Sequence, residues 1–145
     1  MDKIEMINVL LSWAVTLCSY PLPETPPRLE YKSHSFFVEH ACLGNEKCRV
    51  AGWYDDNGTI FIDDRTEGNN DAMTRSLIVH EIAHYLQDLS GKFDVDSCED
   101  HLVREREAYS IQRQYLNKIA GRFVAIYFNY PPCTDGQAGA ILDVP

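Results

Sequence analysis

The segment from Ala72 to Leu89 constrains the fold most, because its composition predicts one long helix that must be buried. It contains neither proline nor glycine, it follows Asp71, a good N-cap, and it is ended by Ser90-Gly91. At about 100° per residue, two sides of this helix are apolar. One side carries Met73, Leu77, His80 and His84, and the opposite stripe carries Ile78, Ile82, Tyr85 and Leu89. The rest of the chain is therefore expected to pack around it.

An H-E-x-x-H pattern lies on this helix as His80-Glu81-Ile82-Ala83-His84. Residues i and i+4 share a helix face, so both imidazoles can reach one metal ion. Glu81 lies one position round, where it can contact a water rather than the metal. The alternative is a pair of core histidines satisfied by hydrogen bonds, or a pair on a solvated face. Two histidines that enclose a glutamate on a buried helix favour the metal site.

A third ligand is expected from the next helix, predicted from about His101 to Ala120, which carries two glutamates two residues apart. Glu105 falls inside the apolar arc of that helix together with Gln112, whereas Glu107 falls outside it with Gln114. The apolar arc comprises Leu102, Ala108, Tyr109, Ile111, Tyr115, Leu116 and Ile119. A carboxylate on a buried face needs a partner such as a metal ion. Glu105 is therefore the predicted ligand, and Glu107 is predicted to face water.

The H-E-x-x-H pattern, followed by a helix with Glu105-x-x-Ala108, resembles the gluzincin clan of zinc metallopeptidases, especially its minimal single-domain members, the minigluzincins. The recognisable part runs from Ile60 to Ile119. The resemblance implies a zincin-like α+β domain, here taken as a single domain over residues 1–145. It also implies one zinc ion held by His80, His84 and Glu105, with Glu81 as the general base.

The expected activity is hydrolysis of peptide bonds in a peptide or protein substrate by a zinc-activated water. The resemblance further implies that the strand Thr59–Ile62 lies at the sheet edge by the site, where an extended peptide can pair with it. In gluzincins the residue four after the third ligand is often acidic and supports a zinc-bound histidine; here it is Tyr109. Tyr109, Tyr115 and His101 remain open as the residue that steadies an oxyanion.

Two other functions compete with a general peptidase. The short chain leaves little room for a walled substrate cleft, so the zinc site can instead belong to a non-catalytic or regulatory zinc-binding module. Loss of Glu81 would favour that class, and Glu81 is present. A peptidase that acts on one particular partner protein, as a small toxin or regulator does, fits the same residues.

The remaining segments predict an α+β domain with about three main helices and a small antiparallel sheet of about three strands. An amphipathic first helix is indicated by Ile4, Ile7, Leu11, Ala14 and Leu17, and prolines then make the stretch from Pro21 to Pro27 an extended connector. The β-prone runs are Ser35–His40, Arg49–Tyr54 and Thr59–Ile62, with a turn signal at Asp55–Gly58. The apolar run Phe123–Phe128 fits a strand or a helix continuation.

A net charge of −9 argues against nucleic acid and against anionic membranes as partners, because both are gripped mainly through Lys and Arg. No apolar run is long enough to span a bilayer. Asp2 and Glu5 flank the single Lys3, so the N-terminal stretch lacks the positive start of a signal peptide. These features leave the cytoplasm as the default location. The oligomeric state is left open.

Five cysteines keep a secreted or periplasmic location open. Cys42 and Cys48 bracket a short segment and can close a loop disulfide, and Cys98 and Cys133 lie in loop-like stretches. Two disulfides with a buried thiol at Cys18 fit an oxidising compartment, and five reduced thiols fit the cytosol equally well. No C-x-x-C pair is present, which argues against zinc binding by the cysteines.

Overall fold

A computed structural model describes residues 1–126 and residue 133 of the chain. The helices in this part of the chain are α1 (Lys3–Thr16), α2 (His34–His40), α3 (Ala72–Ser90) and α4 (Cys98–Gln114), and α4 continues into a π-helical turn at Tyr115–Ile119. The strands are β1 (Arg28–Lys32), β2 (Gly52–Tyr54) and β3 (Thr59–Asp63). The α+β class is confirmed, with four helices in place of the predicted three.

The sheet is mixed, so the prediction of an antiparallel sheet is wrong. The strand order is β1-β3-β2, with Leu29 of β1 parallel to Ile60 and Trp53 of β2 antiparallel to Phe61. Between β1 and β3 the chain passes through α2 and β2, and such a crossover lets the two strands run in the same direction. The sequence does not predict β1, because the stretch Pro21–Pro27 directly before it is rich in proline and the alternation around Leu29 is short.

Helix α3 begins and ends where its sequence predicts. The Asp71 side chain accepts a hydrogen bond of 2.7 Å from the Thr74 backbone N–H, and Gly91 takes the left-handed conformation at φ 66°. The helix packs on α1, on α4 and on one face of the sheet. Alternation along β3 directs Ile60 and Ile62 into this core.

Helix α1 buries an apolar stripe against α3, as predicted, although the stripe differs from the predicted one. Its buried residues are Met6, Ile7, Leu10, Leu11 and Ala14. Ile4 is 73% exposed, so it does not belong to the core. The Asp2 side chain caps the helix by accepting a hydrogen bond of 2.8 Å from the Glu5 backbone N–H.

The run Ser35–His40, predicted as β-prone, forms the helix α2. Helical spacing stacks Phe36 on His40, with ring centroids 4.4 Å apart, and it buries Phe37 completely. Phe36 also packs on Phe61 of the sheet face opposite α3. Packing on the sheet therefore outweighs the β-propensity of the segment, since that propensity mostly reflects side-chain context.

Helix α4 begins three residues earlier than predicted, because the Ser97 side chain caps it through the Asp100 backbone N–H at 3.2 Å. The following π-helical turn ends before Gly121, whose φ is 67°. In the apolar run Phe123–Phe128, residues 123–126 form no regular structure. Residues 127 and 128 lie outside the described residues.

Candidate metal centre

The buried face of α3 presents the two histidines of the H-E-x-x-H pattern. His80 is 3% exposed and His84 is 6% exposed, and their ring centroids lie 4.9 Å apart at a steep angle. Glu81 is 2% exposed between them in the sequence. Burial of a polar group is costly unless the group has a polar partner. These three side chains are therefore buried for their polar contacts rather than for apolar packing.

Helix α4 crosses α3 and brings Glu105 to the histidines. Oε2 of Glu105 lies 3.5 Å from Nε2 of His80, and Oε1 of Glu105 contacts Nε2 of His84. One ligand atom from each of the three residues lies within 4.8 Å of the other two. The structure thus brings together the three ligands predicted from the sequence, and this group could bind a metal ion.

Two glutamine side chains contact the other nitrogen of each imidazole ring. Oε1 of Gln112 lies 3.0 Å from Nδ1 of His80, and Oε1 of Gln87 lies 2.8 Å from Nδ1 of His84. An amide oxygen only accepts hydrogen bonds, so in both rings Nδ1 carries the proton. Nε2, the nitrogen that faces Glu105 in each ring, is then the atom available to a metal ion once it carries no proton.

Hydrogen bonds made by the amide nitrogens hold these two glutamines in that orientation. Nε2 of Gln112 donates to Oγ of Ser76 at 3.1 Å, and this hydroxyl donates to the Met73 carbonyl at 2.7 Å. Nε2 of Gln87 donates to the Arg104 carbonyl and to Oε1 of Glu107, each at 3.0 Å. A flipped Gln87 amide would place its oxygen against the Arg104 carbonyl and the Glu107 carboxylate, and a flipped Gln112 amide would require the Ser76 hydroxyl to give up its bond to Met73, so the observed orientations satisfy the most hydrogen bonds.

The electrostatics of the group favour an ionised carboxylate. Burial alone raises the pKa of Glu105, but the charges and hydrogen bonds of His84 and His80 outweigh it and hold that pKa well below the ordinary value. For all three residues to act as ligands, the carboxylate must be ionised and both imidazoles neutral, so a metal ion would displace the protons through which the imidazoles hydrogen-bond to Glu105.

A cavity of about 150 Å³ opens beside the group. Its wall includes Glu81, His84, Glu105, His101 and Arg104, together with Trp53 and Tyr54 of β2. His101, one of three candidates for oxyanion stabilisation, therefore shares a cavity with Glu81. Tyr109 packs its ring 4.3 Å from that of His80, and Tyr115 lines a separate groove beside Met6 and Trp13.

Gly52 allows β2 to lie directly against Glu81. A Cβ atom at this position would lie 3.2 Å from Cδ1 of Ile62 and 3.4 Å from Cγ of Glu81. The distance to Ile62 is tighter than ordinary packing, so any larger residue would require Ile62 to shift, whereas the distance to Glu81 is that of ordinary van der Waals contact. Sequence reasoning missed Gly52; a glycine inside a β-prone run is the signal that marks close backbone approach.

The structure corrects two positions around the site. Thr59–Ile62 belongs to the central strand β3, and the edge strand beside the cavity is β2.

Glu107, predicted to face water, is half-buried: its Oε1 accepts hydrogen bonds from the Tyr20 hydroxyl at 2.5 Å and from Gln87. Glu105 and Glu107 lie on different faces of α4, as predicted. The loop after α1 nevertheless covers the face with Glu107, and no periodicity within α4 predicts such a contact.

Four of the five cysteines lie at disulfide positions. Cys42 and Cys48 have Cα atoms 6.0 Å apart, and Cys98 and Cys133 have Cα atoms 5.9 Å apart. Cys18, half-buried, is a free thiol. The first pair closes the loop that follows Ala41, a residue of the cavity wall, and the second ties residue 133 to the start of α4.

Comparison with protein-family models, with curated proteins and with solved structures gives no match for this chain. In the part of the chain that the structure describes, no helix combines the length and the apolar character needed to cross a membrane.

Proposed function

We propose that this protein is a zinc-dependent metallopeptidase with a zincin-like fold of the gluzincin type. The observation that carries the proposal is the grouping of His80, His84 and Glu105, whose ligand atoms lie within 4.8 Å of one another. The cavity that His84 and Glu105 line also contains Glu81. Metal ligands and a separate buried carboxylate around one cavity are the elements that metal-assisted hydrolysis requires.

The donor set supports zinc as the metal. Two neutral imidazole nitrogens and one carboxylate are typical ligands of catalytic zinc, which keeps a further position open for water or substrate. Gln112 and Gln87 support the same assignment, because ligating histidines commonly donate their second ring N–H to a fixed acceptor.

The geometry favours a catalytic site over a structural or regulatory one. Structural zinc is almost always enclosed by four protein ligands. Among the described residues, the group contains three, and two of them, His84 and Glu105, line a cavity. Glu81 is buried at 2% exposure beside that cavity, which a purely structural site does not require.

In the proposed reaction, the residues of the site have different roles. Zinc, when bound, supplies Lewis-acid polarisation of the scissile carbonyl and makes a nearby water more acidic. Glu81 accepts a proton from the attacking water and delivers it to the leaving amine. Among the candidates for the oxyanion, His101 is the residue in the cavity wall, so we assign it that role.

The substrate is expected to bind along β2. This strand pairs with β3 on one side and is the edge strand at the cavity. Gly52 brings the strand against Glu81. An extended peptide that adds to this edge by main-chain hydrogen bonds would pass its backbone across the catalytic carboxylate.

We further propose an oxidising compartment, secreted or periplasmic, as the place of action. Two cysteine pairs at disulfide distance in one small domain are typical of proteins from such compartments and rare in cytosolic ones. Mass spectrometry of the purified chain without reductant should show the loss of four thiol protons and a single alkylatable cysteine, Cys18.

The activity is tested with the zinc-loaded chain and its Glu81→Gln variant on a peptide library, with cleavage read by mass spectrometry. Glutamine cannot accept the water proton, so the variant should keep its zinc and lose turnover by at least about a hundredfold. Glu39→Gln, an exposed change on α2, is the matched control and should keep activity. Equal turnover in Glu81→Gln and wild type, or zinc-loaded wild type that cleaves nothing, would refute the proposed peptidase.

A further inference from the structure

Arg104 is a buried cation in the wall of the catalytic cavity, and the proposed chemistry does not use it. It precedes Glu105 on α4, its side chain is 10% exposed, and it shares the cavity with Glu81 and His101. A guanidinium this buried has lost much of its hydration, so it needs an anionic partner.

The partner that the chain itself provides is weakly held. Nη2 of Arg104 lies 3.3 Å from Oδ1 of Asp56, and Nε lies 3.4 Å from Oε1 of Gln87. Well-formed arginine–carboxylate contacts are about 2.7–2.9 Å long and often bidentate. Asp56 therefore satisfies the guanidinium through one long contact.

Asp56 can leave this contact more easily than Arg104 can. Its side chain is 52% exposed, and it lies in the turn between β2 and β3 with a left-handed φ of 59°. A carboxylate that turns into water regains its hydration, whereas the buried guanidinium has to find another anion. A carboxylate of another molecule can therefore replace the Asp56 carboxylate on Arg104.

We propose that Arg104 forms a carboxylate-binding subsite that selects acidic peptides, with Asp56 marking the position of the substrate carboxylate. This inference rests on the proposed peptidase function and names its substrate class. The turn with Asp56 follows β2, so a peptide paired along β2 would reach Arg104 at the end of that strand. Among the residues that line the cavity, Arg104 carries the permanent positive charge, so a substrate carboxylate that does not bind the metal ion is directed to it.

The carboxylate can come from an Asp or Glu side chain or from the C-terminus of the peptide. Both sources are tested with peptide pairs that differ only by Glu against Gln, or only by a terminal acid against a terminal amide. Binding is measured by calorimetry to the zinc-loaded Glu81→Gln chain, which prevents turnover. One pair should show a preference for the acid of about ten- to hundredfold, the factor that hydrogen bonds to a charged group provide.

Variants then connect the preference to Arg104. Arg104→Gln should remove the preference, and Arg104→Lys should retain part of it, because lysine keeps the charge but loses the planar fork. Asp56→Asn should increase the affinity for the acidic peptide several-fold, because it removes the internal competitor. Arg106→Gln, an exposed change two residues along α4, is the control and should leave the preference intact.

The outcomes separate this inference from the proposed function. Peptide hydrolysis without an acid preference in either pair would overturn the subsite and leave the peptidase standing. An acid preference that Arg104→Gln and Arg104→Lys leave unchanged would place the carboxylate elsewhere, on the metal for example. If Arg104→Gln does not fold, weaker acidic-peptide binding by Asp56→Asn would show that the contact only holds the turn in place. An acid preference lost in Arg104→Gln supports the subsite even if no turnover is found.

Discussion

Gln87 and His84 lie one helical turn apart on α3, and Oε1 of Gln87 is 2.8 Å from Nδ1 of His84. His80 has the same kind of contact with Gln112, but there the acceptor comes from the neighbouring helix α4. One histidine is therefore oriented within its own helix, and the other depends on the packing of two helices. These contacts lead to a prediction for each glutamine.

Gln112→Leu and Gln87→Leu should each weaken zinc binding by about ten- to hundredfold, as loss of a partner behind a ligating histidine usually does. Both variants should also lower the stability of the metal-free chain, because Gln112 joins α4 to His80 and Ser76, and Gln87 joins α3 to the Arg104 carbonyl and to Glu107 of α4. Competitive titration with a chelator and thermal unfolding measure the two effects. Gln114→Leu, half-buried on the same helix, is the control. Unchanged zinc affinity in both variants would show that these contacts do not orient the ligands.

The histidines themselves should determine zinc content. Wild-type protein is expected to hold about one zinc per chain, and His80→Ala or His84→Ala should lose most of it, because two remaining ligands bind zinc far more weakly than three. His40→Ala is a suitable control, since His40 is exposed and stacks on Phe36 away from the site. Elemental analysis after dialysis gives the answer. Full occupancy in both site variants would rule out the assigned metal centre.

Gly52→Ala should reduce turnover without removing zinc. The added methyl would lie 3.2 Å from Cδ1 of Ile62, which has to give way, and 3.4 Å from Cγ and 3.6 Å from Oε1 of Glu81, where it restricts the movement of the carboxylate. Gly52 is not one of the three ligands, so zinc content should stay at the wild-type level. Gly52→Val should lose more turnover, because its larger side chain crowds both Ile62 and Glu81. Wild-type turnover in both variants would mean that the close approach of β2 to Glu81 does not matter for the reaction.

Much of the site could be predicted because it depends on helical periodicity alone. The spacing of His80 and His84, the cap at Asp71 and the apolar arc that contains Glu105 are all local signals on two long helices. Gln112 lay on the predicted inward face, but its contact with His80 depends on how the two helices cross. Arg104 reaches the cavity only because the turn after β2 packs on α4, and a single sequence does not encode that contact locally.

The sheet was less predictable for the same reason. The pairing of β1 with β3 joins segments that lie far apart in the sequence, and α2 forms because Phe36 and Phe37 pack on the finished sheet. Local β-propensity favoured a strand at that segment, and the tertiary contacts reversed it. Helices with caps and long periodic patterns were therefore found, as were β2 and β3 on either side of a strong turn signal, whereas β1 and α2, which depend on distant partners, were not.

The last prediction separates the two glutamates of α4, which lie on different faces of the helix and have different partners. Glu105→Gln should weaken zinc binding by orders of magnitude, because the ligand that contacts both histidines loses its charge. Glu107→Gln should keep zinc close to the wild-type level, because Glu107 reaches the site only through Gln87. Glu107→Ala should cost about 1–2 kcal/mol of unfolding free energy, since the buried hydroxyl of Tyr20 and the amide of Gln87 lose an acceptor. Zinc titration and denaturant unfolding of the three variants, run in parallel, give both quantities. A larger loss of zinc affinity in Glu107→Gln than in Glu105→Gln would reverse the assignment. Glu107 would then be the metal ligand, and Glu105 would be the residue that supports the fold.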